Sequence, residues 1–156
     1  MSVLIELYSY HRWANRRILT ACSQLDSEQL ASSMPDHFGS PLETLTHMIS
    51  VETNYLHLMR GELTRPERFA LVSEALERTD AVSEEYLAGI AEASEVDLTR
   101  LFRMPGLNRE LSVEQGLIQV ATHSTQHRAD LASALTRLGQ EPPALDYVQF
   151  LMRSEK

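Results

Sequence analysis

Six histidines stand in this chain, His11, His37, His47, His57, His123 and His127, and only His123 and His127 are four residues apart. On a helix that spacing puts both side chains on one face, one turn apart, with Cβ atoms about 6 Å from each other. Both imidazoles can then reach a single ion at about 2.1 Å. His123 continues the line of Gly116 and Val120, and His127 leads on to Leu131. This line borders an apolar stripe, so the pair is expected to point inward, where an imidazole is costly unless hydrogen-bonded or ligated. His47 lies on the flank of the Leu45/Ile49 stripe of an earlier helix. It is the natural third ligand if the two helices face each other, since bundle metal sites form between facing helices. The competing reading is three histidines packed in or at the rim of a core and satisfied by hydrogen bonds. Spacing alone leaves both open.

Other chemistries find less support. The peptidase motif His-Glu-x-x-His is absent, because Ser124 and Thr125 follow His123 and the general base is missing from its place. No glycine-rich phosphate loop is present. Glu43 precedes His47 by one turn, but a capping duty explains it. Tyr55 and Asn54 beyond His47, and Tyr8 and His11 on the first helix, could line a pocket; packing is the more ordinary fate of such residues. Cys22, the sole cysteine, reads as a buried and inert core thiol.

The composition narrows the class. A chain of 156 residues with 43% hydrophobic and 23% charged residues suits one globular domain spanning residues 1–156. A net charge of −8 repels phosphate backbones, so nucleic acid is not an expected partner, although Arg12, Arg16 and Arg17 cluster. That cluster reads as solvated or ion-paired helix surface. A single cysteine excludes an internal disulfide framework. No apolar run of about 18 residues offers a membrane span. The start, Met-Ser-Val-Leu-Ile-Glu, lacks a basic leader with a long apolar core, so the expected compartment is the cytoplasm.

Four amphipathic segments must position the histidines. The first runs from about Val3 to Ala21, with Leu4, Leu7, Ala14 and Ile18 among the residues on one face and Trp13 beside them. Asp26-Ser27-Glu28-Gln29 opens a short extra turn, and Met34 to Gly39 reads as a loop. The second helix begins at a capping box, Ser40 with Glu43, with Pro41 at its first position, and Gly61 ends it. Thr64 to Pro66 belongs to the loop that follows. The third is expected from Val72 to Ala93. Val96 to Leu111 reads as extended chain around Pro105-Gly106, with a short hairpin as one form of it. Ser112 with Gln115 caps the fourth helix, which ends at Gly139 before Pro142-Pro143. Ala144 to Met152 is expected to form a short terminal helix. The fold class is therefore all-α, a four-helix bundle with a long crossover connection between helices 3 and 4.

Taken together, the segments resemble the DinB-like family of metalloproteins (DinB/YfiT-like). Tyr10 to Leu19, with its Trp13-Ala14-Asn15 core, is similar to the family's first helix. Ser40 to His47 resembles the second, which carries the first metal histidine, and His123 to Arg128 the fourth, which carries the other two. Leu138-Gly139, Pro142-Pro143 and Asp146 resemble the family's ending; the likeness is weakest from Pro66 to Leu111. One departure stands out: the family's usual Arg-Gly-Gln after the last histidine is Arg128-Ala129-Asp130 here. Asp130 could accept a hydrogen bond from a ligand histidine and raise its basicity, or be a plain surface charge.

The resemblance implies one divalent ion, zinc, nickel, iron or manganese, on His47, His123 and His127, with positions open to substrate. Three neutral imidazoles with open positions make a Lewis-acid site that could acidify a water or a thiol. The function this implies is a metal-dependent enzyme acting on a small molecule, with a low-molecular-weight thiol as co-substrate of an S-transferase or related transferase. Metal-dependent hydrolysis is the alternative, as is a non-catalytic metal-binding stress protein. Family members are often dimers, so a homodimer is expected.

Overall fold

A computed structural model describes residues 2–34, 39–106 and 108–153. Its elements in chain order are α1 (Ser2–Cys22), α2 (Ser27–Ala31), α3 (Pro41–Arg60), α4 (Val72–Glu92), α5 (Glu95–Thr99), β1 (Leu101–Arg103), β2 (Glu110–Ser112), α6 (Val113–Arg137) and α7 (Tyr147–Met152). The four long helices α1, α3, α4 and α6 are the expected bundle. His37 and most of the Met34–Gly39 loop lie outside the described residues, as does Leu107 of the expected Pro-Gly turn.

The helix starts follow their capping chemistry. Ser40 Oγ accepts from the Glu43 N–H at 3.2 Å, and Glu43 Oε2 accepts from the Ser40 N–H at 2.8 Å. Ser112 and Gln115 make the same reciprocal pair at the start of α6. At the end of α3, Gly61 turns out of the helix at φ 75°, a conformation that costs glycine little.

Two apolar clusters fill the interior. One gathers Ile18, Leu19 and Cys22 with Leu45, Met48, Ile49, Ala75, Leu131 and Leu135. The other gathers Tyr8 with Leu56, Met59, Val82, Tyr86, Leu117 and Val120. The late part of α1 thus meets the early parts of α3 and α4 and the late part of α6. It follows that α1 and α6 run one way and α3 and α4 the other. Because α3 and α4 are parallel, residues 61–71 must travel back along the bundle. Ser50 Oγ marks that path by donating to the Glu67 carbonyl at 3.4 Å.

The long connection between the third and fourth bundle helices stands where the sequence places it, and it folds up at one end of the bundle. Its first part corrects the expectation of extended chain: residues 95–99 are helical, started by Ser94 and Asp97, which exchange cap hydrogen bonds. The remainder is a hairpin, antiparallel with Phe102 opposite Leu111. Phe102 anchors it. A Cβ at Gly116 would lie 2.8 and 2.9 Å from Phe102 ring atoms and 3.1 Å from Met59 Sδ, so the glycine is the notch that admits the ring. The terminal helix is shorter than expected, starting at Tyr147, and Phe150 packs edge-on against Tyr10 and Trp13 of α1.

No helix among the described residues is long and apolar enough to cross a membrane. Arg12 pairs with Glu84 and Arg16 with Asp80 of α4, while Arg17 lies over the Trp13 ring, so two of the three clustered arginines are ion-paired surface.

Candidate metal centre

His47 sits in the second turn of α3, and His123 and His127 sit mid-way along α6. The antiparallel packing of these helices brings the three rings together. Nε2 of His123 lies 3.2 Å from Nε2 of His47 and 3.2 Å from Nε2 of His127. One nitrogen from each residue falls within 4.8 Å of the others. Two ligands at about 2.1 Å from one ion are separated by about 3.0 Å at a right angle and about 3.4 Å at the tetrahedral angle. The observed 3.2 Å lies between these values, so the donor set fits a single divalent ion. The rings meet at steep angles, 54°, 81° and 69° between planes, rather than stacking.

The electrostatics of His47 and His123 favour the neutral imidazole, the form that binds metal. Burial, then the neighbouring His127 and His47, lowers the His123 pKa to about 4, with Glu52 acting weakly the other way. Burial and the proximity of His127 lower that of His47. Asp130 lies one turn beyond His127, its Oδ2 3.3 Å from Nδ1 of that ring. A carboxylate there favours the tautomer with hydrogen on Nδ1 and leaves the Nε2 lone pair for an ion. The residue that departs from the family's pattern therefore stands beside the His127 ring.

Behind the histidines is a buried polar network that sequence reasoning missed. Glu52 is fully buried. Its Oε1 accepts from Ser124 Oγ at 2.6 Å and Asn15 Nδ2 at 2.9 Å, and lies 3.1 Å from His11 Nε2. Burial alone would push this carboxyl up; the His11 imidazole and the hydrogen bonds from His11, Ser124 and Asn15 outweigh it and hold Glu52 below its ordinary value. Asn15 also accepts at Oδ1 from Arg128 Nη1 at 2.7 Å, so one amide bridges a buried carboxylate and a buried guanidinium. The network ties α1, α3 and α6 together one residue away from His123. A signal for it exists in the sequence. Glu52 falls on the stripe Leu45, Ile49, Leu56, Met59, where a helix facing the core should carry an apolar residue.

The remaining candidates separate. Tyr8 is core, donating its hydroxyl to the Leu117 carbonyl at 2.9 Å. His11 belongs to the Glu52 network and not to the histidine cluster. Glu43 is a cap. Cys22 is fully buried, and burial pushes its thiol up to about 12. Tyr55 is buried beside the hairpin, edge-on to Phe102 at 6.2 Å, and lines a cavity there. Asn54 is half-buried.

The chain is similar to several known proteins. Protein DinB of Bacillus subtilis (strain 168) is 23% identical over 166 residues, covering 97% of this chain and 96% of that protein. A DinB-like protein of Bacillus cereus ATCC 10987 has a similar crystal structure, with a TM-score of 0.75 at 14% identity over 92% of this chain and 96% of its own. YfiT of Bacillus subtilis, described as a probable metal-dependent hydrolase with an unusual four-helix bundle topology, has a TM-score of 0.70 at 16% identity, over 86% of this chain and 87% of its own. These likenesses establish the bundle fold. The model of the DinB family matches residues 1–156, and the chain belongs to that family.

Proposed function

We propose that this protein is a metal-dependent enzyme that holds one divalent ion on His47, His123 and His127 and acts on a small electrophilic molecule. The observation that carries the reading is the convergence of three imidazole nitrogens at ligand-to-ligand separations, two of them 3.2 Å. When bound, the ion supplies Lewis acidity at positions the three histidines leave open. The chain's own residues do the rest. Asp130 orients the His127 ring, burial keeps His47 and His123 unprotonated, and the Glu52–Ser124 bond fixes α3 against α6.

The nucleophile we favour is a low-molecular-weight thiol, which makes the reaction an S-transfer; this rests on the family resemblance. Water is the second candidate, and the description of YfiT as a probable metal-dependent hydrolase favours it. The family resemblance allows zinc, nickel, iron or manganese; imidazole ligands suit the first three best, and supply in the cell decides among them. A homodimer in the cytoplasm completes the proposal.

The test is elemental analysis of tag-free protein, wild type beside His123→Ala. About one equivalent of metal in the wild type, lost in the variant, is the expected result. No metal in either after incubation with zinc, nickel and manganese refutes the reading. The loaded protein is then offered an electrophile and an ester, each with and without thiol. Turnover only with thiol selects transfer, turnover without it selects hydrolysis, and none with either leaves a metal-binding protein that is not an enzyme.

A further inference from the structure

A cavity of about 590 Å³ lies where the β-hairpin meets the groove between α3 and α6. Tyr55, Gln115, Gln119, Arg109, Met104 and Leu111 line it. Its position relative to the histidines follows from helix geometry. Tyr55 is eight residues past His47, about 12 Å of helix rise, and Gln119 is four residues before His123, about 6 Å. The helices are antiparallel, so both steps lead the same way from the cluster. The cavity therefore lies along the same pair of helices, about 6–12 Å of helix rise from the histidines.

The hairpin that forms one side of the cavity is anchored at its base. Phe102 fills the notch at Gly116, Arg100 Nη2 donates to the Met59 carbonyl at 2.5 Å, and the Val113 N–H donates to the Arg100 carbonyl at 3.0 Å. The cavity's chemistry is one-sided. On a chain with 22 acidic and 14 basic residues, no carboxylate among the described residues lines this cavity and one guanidinium does. Arg109 is exposed and has no carboxylate within ion-pair distance among the described residues, so its charge is open to a ligand. Gln115 spends its amide oxygen on the Ser112 N–H, so its amide nitrogen remains a donor. Gln119 adds a second amide and Tyr55 a hydroxyl that burial keeps protonated. Met104 and Leu111 supply apolar surface. A cavity of donors with a single cation suits a carboxylate; a phosphate dianion calls for more positive charge.

We propose that this cavity receives the carboxylate-bearing tail of the substrate, held by Arg109 with Gln115 and Gln119, while the substrate's reacting end lies at the histidine cluster. The assignment rests on the metal-enzyme reading and adds to it a substrate class: an extended small molecule with an apolar middle and an anionic end, spanning on the order of 10 Å.

The probe is a series of ω-carboxyalkyl hydroxamates of increasing chain length, titrated calorimetrically into the zinc-loaded full chain. The hydroxamate serves as the zinc-binding head. The expected result is one preferred length, about tenfold loss of affinity for the matching methyl ester, and about tenfold loss in Arg109→Gln together with the length preference, with zinc affinity unchanged. Equal binding of acid and ester, or wild-type binding by Arg109→Gln, overturns the proposal. Failure of the metal reading is seen separately, as absence of bound zinc in the wild type. In that event heptanoate is titrated into isotope-labelled protein. Shifts of the Gln115 and Gln119 side-chain amides that vanish in Arg109→Gln support the tail site, and their absence sinks it.

Discussion

Ser124→Ala tests whether the network behind the histidines holds an ionised carboxylate. Ser124 is fully buried, and its hydroxyl donates to Glu52 Oε1 at 2.6 Å. A hydrogen bond to a charged group contributes about 1.5–3 kcal/mol. Alanine is the better helix former by about 0.5 kcal/mol, which leaves a net cost of about 1–2.5 kcal/mol. For a domain of this size that is a fall in Tm of roughly 2–10 °C. The same substitution in a Glu52→Gln background removes a hydrogen bond to a neutral amide, worth about 0.5–1.5 kcal/mol before the same helix offset. A double-mutant cycle should therefore show a coupling of about 1–1.5 kcal/mol. The assay is urea unfolding of metal-free protein at pH 7, with the midpoint moving and the slope constant. The folded-state pKa of Glu52 is held below its ordinary value of 4.5, so its contribution is complete above that value and is lost as the pH falls through the lower, folded one. The wild type should lose stability on acidification below about pH 4.5 more steeply than Glu52→Gln. A Ser124→Ala variant within about 0.5 kcal/mol of wild type, or equal costs in the two backgrounds, would refute the ionised-carboxylate account.

Other outcomes follow from single contacts. Asp130→Asn should weaken zinc binding about tenfold in a chelator competition while leaving the metal-free Tm within about 2 °C, because Asp130 acts on the ring of His127 and not on the core. Gly116→Ala should destabilise by about 1–2 kcal/mol in urea unfolding despite alanine's helix preference, since the new methyl falls 2.8 Å from the Phe102 ring; an unchanged or raised midpoint would mean that the hairpin yields. Cys22 should resist an aromatic disulfide reagent in native protein and react only on unfolding, its thiol being fully buried and pushed up to about 12.

The helices were legible wherever a local rule was complete. Ser40-Pro41-Leu42-Glu43 and Ser112 with Gln115 specify their own starts by hydrogen bonds within four residues. The pair His123/His127 was legible for the same reason, since an i, i+4 spacing contains its own geometry. His47 was placed by its flank of an apolar stripe, and the packing of α3 on α6 brings it to the pair. What escaped was relational. Nothing near Asn15, Glu52, Ser124 or Arg128 in the sequence says that they share one buried site, because their partners lie 37 to 113 residues away. The return path of residues 61–71 was hidden in the same way, since amphipathic periodicity fixes which face of a helix is buried and not which way the next helix runs. Ser94 and Asp97 do carry a local signal for α5, a reciprocal cap of the same kind as those of α3 and α6.

His47 and His123, whose rings meet across the groove, are 76 residues apart in the chain. At ~5–20 residues per second a ribosome makes His123 about 4–15 s after His47. During that interval a nascent chain offers an ion only one of the three nitrogens. The other two then arrive together, on the same face of α6, the last of the four bundle helices to be made. If the cluster holds an ion as proposed, its loading is tied to the end of assembly, and an ion seated there would report that α6 has docked on α3.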